Sequence, residues 1–168
     1  VDDLKRKYSI GKKDKIAMAI SAQGETLFCL DQNGKPLRNA IVWMDNRAED
    51  EAKELREAFG DAACYRITGQ VSFEPCWPAS KILWIRKNEP EIFEKTHKFL
   101  LIEDYFIYRL TGKFVTEPSL VCSSTYWDII RRQYWQEMLD FIGIKEEQLA
   151  SVMDSGRSRG FVNDYRYT

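Results

Sequence analysis

Residues 16–20 read Ile16-Ala17-Met18-Ala19-Ile20, apolar at every position, and lead through Ser21-Ala22-Gln23-Gly24 into Glu25-Thr26-Leu27-Phe28-Cys29-Leu30. A run with no polar face reads as a strand covered on both sides, the normal state of central strands in α/β sheets. Residues 25–30 read as a second strand. Asp31-Gln32-Asn33-Gly34-Lys35 then carries the Asn-Gly pair that favours positive φ in hairpins. Ala40-Ile41-Val42-Trp43 predicts the next strand.

Working outward, the pattern turns helical. Upstream, residues 2–9 read as the tail of a helix with only Leu4 and Tyr8 on its apolar side, and residues 11–14 as a turn. Downstream, Asn46 and Glu49 have capping-box spacing. Ala48, Ala52, Leu55 and Phe59 share one helical face, and Gly60 stops it. Residues 61–68 predict a short helix closed by Gly69. Pro78 suits the first turn of the next helix, whose apolar side holds Ile82, Leu83, Trp84 and Ile85. Asn88-Glu89-Pro90 breaks it, and residues 91–95 add one turn. Phe99-Leu100-Leu101-Ile102 predicts a buried strand. Glu103 and Asp104 give the following helix an acidic first turn that suits its dipole, and Gly112 ends it. Residues 136–142 predict a last helix, ended by Gly143. Strands alternating with helices, plus a hairpin, define an α/β or mixed α/β class.

The chain has 168 residues, 44% of them hydrophobic, which is enough for one sizeable core. Lys and Arg number 25 against 26 Asp and Glu, so the basic footprint of a nucleic-acid binder is missing. The same balance gives no reason to expect a membrane surface as partner. Aromatics at 13% exclude intrinsic disorder. The longest apolar runs fall far short of a membrane span. Val1-Asp2-Asp3-Leu4-Lys5-Arg6-Lys7 is charged, without the apolar region of a signal peptide, and Val1 in place of Met points to a start that was cut off or processed. Cys29, Cys64, Cys76 and Cys122 show no CxxC spacing and His97 is the one histidine, so no metal site is expected. Free, buried thiols in a reducing cytoplasm are the simplest reading.

Three segments bring polar groups to strand ends, where ligands bind in open α/β sheets. The first is Gln23-Gly24-Glu25: the glycine admits close approach, and the amide and carboxylate suit a hydroxyl-rich ligand. Spacing alone favours the plain alternative, a turn with a solvated Glu25. The second is Trp43-Met44-Asp45-Asn46-Arg47, where an indole could cover a polyol while Asp45 and Arg47 address its hydroxyls. The plain alternative, which spacing alone favours, is a buried Trp43 with Asp45 and Asn46 capping the helix. The third runs from Phe73 through Cys76 and Pro78 to Lys81 and could form a pocket wall or only loop packing. Cys76 has a base only if the fold brings His97 to it. Ser123-Ser124-Thr125 lacks the context of a nucleophile and reads as turn or core edge. There is no Walker A, GxGxxG, HExxH or DFG motif.

Together the segments resemble the FGGY carbohydrate kinases, the family of xylulose and glycerol kinases. The resemblance runs in the family's order through residues 16–25, 31–37, 40–48, 78–85 and 88–91, and through Phe99-Leu100-Leu101-Ile102-Glu103-Asp104-Tyr105 and Arg109-Leu110-Thr111-Gly112-Lys113. It implies a ribonuclease-H-like, actin/hexokinase-type ATPase fold, a mixed sheet with flanking helices, here in part. Residues 1–156 are expected to form a partial N-terminal, sugar-binding domain, and 157–168 a tail, disordered or cut short. The implied reaction transfers the ATP γ-phosphoryl group, with Mg²⁺, to a sugar or polyol hydroxyl. The family's Asp-x-Gly-Thr phosphate loop and its general base are expected before Val1 and after Thr168. No catalytic residue, and no bound ATP or Mg²⁺, is therefore expected in this chain. The implied substrate-binding set is Gln23, Gly24, Glu25, Trp43, Asp45, Arg47 and Cys76. Xylulose kinases usually have Met-His where Gly24-Glu25 stands and glycerol kinases Arg-Glu, and Cys76 falls near a tyrosine of glycerol kinases. The substrate is thus left unnamed. The resemblance further implies a cytoplasmic protein and leaves a homodimer of the intact enzyme open. The alternative is a truncated, non-catalytic homologue that binds sugar or a partner.

Overall fold

The computed structural model describes residues 2–11, 14 and 16–162. Lys12 and Lys13 of the expected turn, and residues 163–168 of the expected tail, lie outside them. In chain order the elements are α1 (Asp2–Lys7), β1 (Leu27–Leu30), α2 (Glu49–Phe59), α3 (Asp61–Thr68), α4 (Pro78–Asn88), α5 (Pro90–Lys95), β2 (Lys98–Leu101), α6 (Ile102–Thr111), β3 (Val115–Thr116), α7 (Pro118–Val121), β4 (Trp127–Asp128), β5 (Gln133–Tyr134), α8 (Gln136–Ile142) and β6 (Ser151–Val152). Single 3-10 turns occupy Cys122–Ser124 and Glu146–Gln148.

The helices follow their sequence signals. Ala48, Ala52 and Leu55 are wholly buried, with Phe59 packed behind them. Gly60 and Gly69 close α2 and α3 at positive φ. Pro78 opens α4, which is buried on most sides and packs on α2, α5 and α8. Asn46 does not cap α2. Its Ncap is Ala48, because Asp45 already holds the Arg47 N–H at 3.0 Å in a local turn ahead of the helix.

β1 and β2 pair antiparallel, Leu27 opposite Leu101 and Leu30 opposite Lys98. β3 pairs parallel with β6, and β4 antiparallel with β5. The single mixed sheet expected from the sequence is therefore three two-stranded pieces among the described residues. The expected strand at 16–20 does not form: the segment is irregular, with Ile16 58% and Met18 51% exposed. No described segment pairs with it, and an unpaired apolar strand has nothing to cover it. Of residues 40–43 only Ile41 pairs, with Leu27. One core joins β1, β2, α2, α4 and α8 around Phe73, Ile82, Phe99 and Met138.

Candidate functional site

Two chain segments meet at the start of β1. Leu27 and Ile41 exchange backbone hydrogen bonds of 2.9 and 3.0 Å. One step outward the Trp43 N–H donates to Thr26 Oγ1 at 3.1 Å. Glu25 and Trp43 thus leave the same end of this pair. Beneath them stands α4. Its Lys81 is wholly buried, and Nζ donates to the carbonyls of Glu25 at 3.0 Å, Val42 at 2.9 Å and Trp43 at 3.4 Å. Burial lowers the Lys81 pKa to about 8, against the opposing pull of Cys76, Asp45 and Glu25.

Glu25 is half-buried, and its carboxylate accepts no hydrogen bond from any described residue. Its charge acts on Lys81, Cys76 and Cys122. Trp43 is 44% exposed rather than buried, so the plain packing alternative does not hold for it. Gly24 backs onto the Cys122–Ser124 turn: a Cβ there would lie 3.4 Å from Ser123 Oγ. Gln23 lies in the irregular exposed stretch before it.

Asp45 and Arg47 are turned toward each other. Arg47 Nε and Nη2 donate to Asp45 Oδ1 and Oδ2 at 2.9 and 2.8 Å. This bidentate pair holds the Asp45 carboxyl down at about 2, and the guanidinium lies 4.9 Å over the Trp84 ring. Cys76 is half-buried, and burial raises its thiol, the opposite of an activated nucleophile. His97 belongs to the other end of β1, where its N–H donates to the Leu30 carbonyl at 2.8 Å and its ring meets Phe114. The fold does not make a Cys–His pair of Cys76 and His97.

The sequence placed Lys81 at the end of the third segment without giving it a role, and read Ser123 as turn or core edge. A signal for Lys81 was present: a lysine set between Ala79-Ser80 and Ile82-Leu83, with core positions on both sides. Ser123 carried none, because its approach to Gly24 is set by tertiary packing. Ser124 and Thr125 are wholly buried at the core edge, as their sequence context predicts. Two open clefts of about 510 and 430 Å³ lie elsewhere, one walled by Lys98, Asp140 and Glu146, the other by Trp127, Arg132 and Asp154. Among the described residues, no group of three or more His, Cys, Asp or Glu side chains could hold a metal ion, and no helix is long and apolar enough to cross a membrane.

Residues 1–167 match the N-terminal domain of the FGGY family of carbohydrate kinases. The chain belongs to this family. A glycerol kinase from Thermococcus gammatolerans is 34% identical over 151 residues, covering 86% of this chain and 30% of the relative. A xylulose kinase from Lactococcus lactis subsp. lactis is 32% identical over 145 residues, covering 86% and 28%. The crystal structure of a gluconate kinase from Lactobacillus acidophilus superposes with a TM-score of 0.80 at 32% identity, covering 90% of this chain and 30% of that one. This FGGY chain therefore spans about 30% of the length of the relatives it matches and falls in their N-terminal domain. Its ribonuclease-H-like α/β class agrees with that expected from its sequence.

Proposed function

We propose that this chain is the sugar-facing part of a kinase that moves the ATP γ-phosphoryl group to a hydroxyl of a sugar or polyol. The observation that carries the reading is that Glu25, whose carboxylate accepts no hydrogen bond from a described residue, and the exposed Trp43 leave neighbouring backbone positions whose carbonyls both meet Lys81 Nζ. A carboxylate accepts from substrate hydroxyls, and an indole covers the C–H face of a polyol. The Asp45–Arg47 pair braces the loop that bears Trp43, and Cys76 lines the wall. Residues 1–156 are read as the sugar-binding part. The relatives named glycerol, xylulose and gluconate kinases support a sugar or polyol as substrate class. The parent enzyme is read as cytoplasmic.

Among the described residues no group of three or more His, Cys, Asp or Glu side chains marks out a Mg²⁺ site. Phosphoryl transfer rests on positioning and charge neutralisation of the transferred group. The 168-residue chain alone is read as inactive. The test assays it with ATP, Mg²⁺ and a panel of pentoses, hexoses and polyols beside the intact protein. Product is expected only from the intact protein. Turnover by the chain alone that Glu25→Ala abolishes overturns the inactivity. An intact protein that phosphorylates none of the panel overturns the kinase reading.

A further inference from the structure

Lys81 is more than a core residue with a satisfied charge. Its ammonium has three protons, and three backbone carbonyls face it, from Glu25, Val42 and Trp43. Burying a charge without a carboxylate in contact is costly. The fold does not require that charge to align the two segments. Leu27 and Ile41 already pair through two backbone hydrogen bonds, and Thr26 ties down the Trp43 N–H. The ammonium instead acts one residue further out, where the ladder has ended and where Glu25 and Trp43 emerge. Cys76, Asp45, Glu25 and Arg47 are the titratable groups around it.

We propose that Lys81 is a positioning residue: its ammonium pins the backbone that carries Glu25 and Trp43 and so sets the spacing with which they meet a sugar. The proposal rests on the sugar-site reading above. Its signature is selective. Losing the ammonium loosens the sugar contacts without touching the nucleotide, so the sugar KM rises while the nucleotide KM stays.

The experiment uses the intact kinase and its best substrate from the panel. Lys81→Met keeps length and burial but removes every donor. Its sugar KM is expected to rise about tenfold or more, the scale of one lost charge-assisted hydrogen bond, with the nucleotide KM within about twofold. Because Lys81 acts through Glu25 and Trp43, Lys81→Met should cost less in a Glu25→Ala background than in the wild type. If Glu25→Ala raises the sugar KM and a folded Lys81→Met does not, the positioning role is overturned and the sugar-site reading stands. If Glu25→Ala leaves the sugar KM unchanged, the sugar-site reading itself fails. Should Lys81→Met not fold, the wild-type pH profile decides. The sugar KM should climb above about pH 8, where the ammonium loses its proton, while Lys81 deprotonation itself does not lower the melting temperature. A flat profile overturns the proposal.

Discussion

Glu25 leaves β1 with its side-chain acceptors unspent, whereas Asp45, twenty residues on, spends both oxygens on Arg47. The two carboxylates are equivalent in composition and opposite in availability, and that difference decides which one a ligand can use. Charge-assisted hydrogen bonds contribute roughly 1.5–3 kcal/mol each. Glu25→Ala in the intact kinase should therefore raise the sugar KM about 10- to 150-fold and leave the nucleotide KM alone. Steady-state kinetics in both substrates checks this. An unchanged sugar KM returns Glu25 to the status of a solvated turn residue, and a fall in kcat at constant sugar affinity assigns it a different role. His97 is the contrasting case. It is exposed at the end of β1 remote from Glu25, with Phe114 against its ring. His97→Gln should hold the turnover number within a few fold. A loss on the order of 10²-fold would make it a general acid or base.

The loop between residues 31 and 35 shows how one element depends on another. Asp31 Oδ1 accepts the Asn33 and Lys35 N–H groups at 2.8 and 2.9 Å, and Gly34 sits at φ 74°. The turn is local in origin and legible from Asn33-Gly34. Its second constraint is not local: a Cβ on Gly34 would come 1.7 Å from Tyr108 Oη on α6. Tyr108 cannot simply swing aside, because its ring stacks on Phe114 at 4.3 Å. Gly34→Ala should thus destabilise the chain by more than the roughly 1 kcal/mol of a left-handed alanine. Gly34→Ala with Tyr108→Ala relieves the clash, so the pair should cost less than the sum of the single changes. Strict additivity in thermal melts would refute the coupling.

At the scale of the whole molecule, Asp104 links the fold to pH. It lies on α6, nearly fully buried. Oδ2 accepts the Leu101 N–H at 3.2 Å, Oδ1 has no hydrogen-bond partner, and the Thr116 hydroxyl stands near without bonding geometry. Burial first, then the charges of Glu103 and Glu117, push its pKa up to about 7. The folded state therefore holds this proton more tightly than the unfolded chain, whose Asp titrates near about 3.9. The resulting stability is fully present below about pH 4 and is lost as pH rises through 7. The acidic first turn read as a dipole partner is, at this residue, a buried acid. Asp104→Asn keeps an acceptor for Leu101 and removes the titration. Its melting temperature should fall less than that of the wild type between pH 4 and 8, and equal slopes would disprove the linkage.

The sequence by itself determined most of the helices and their stops, the apolar segments that become β1 and β2, the turn at Gly34 and the family. These rest on local chemistry, such as Pro78 at a helix start, Gly60, Gly69 and Gly143 at helix ends and the periodicity of Ala48, Ala52 and Leu55. Tertiary structure alone decided the rest. Residues 16–20 have the composition of a central strand, but a strand exists only where another backbone pairs with it, and no described segment does. Asp45 and Arg47 have the right chemistry for a ligand, but a guanidinium lying over Trp84 brings them to each other. Lys81 reads as one more charge along a helix, and it is the fold that drives its ammonium beneath the carbonyls of Glu25 and Trp43. Periodicity and turn chemistry act over a few residues and can be read along the chain. Pairing, burial and charge compensation act between residues tens of positions apart, and only the folded chain specifies which of those meet.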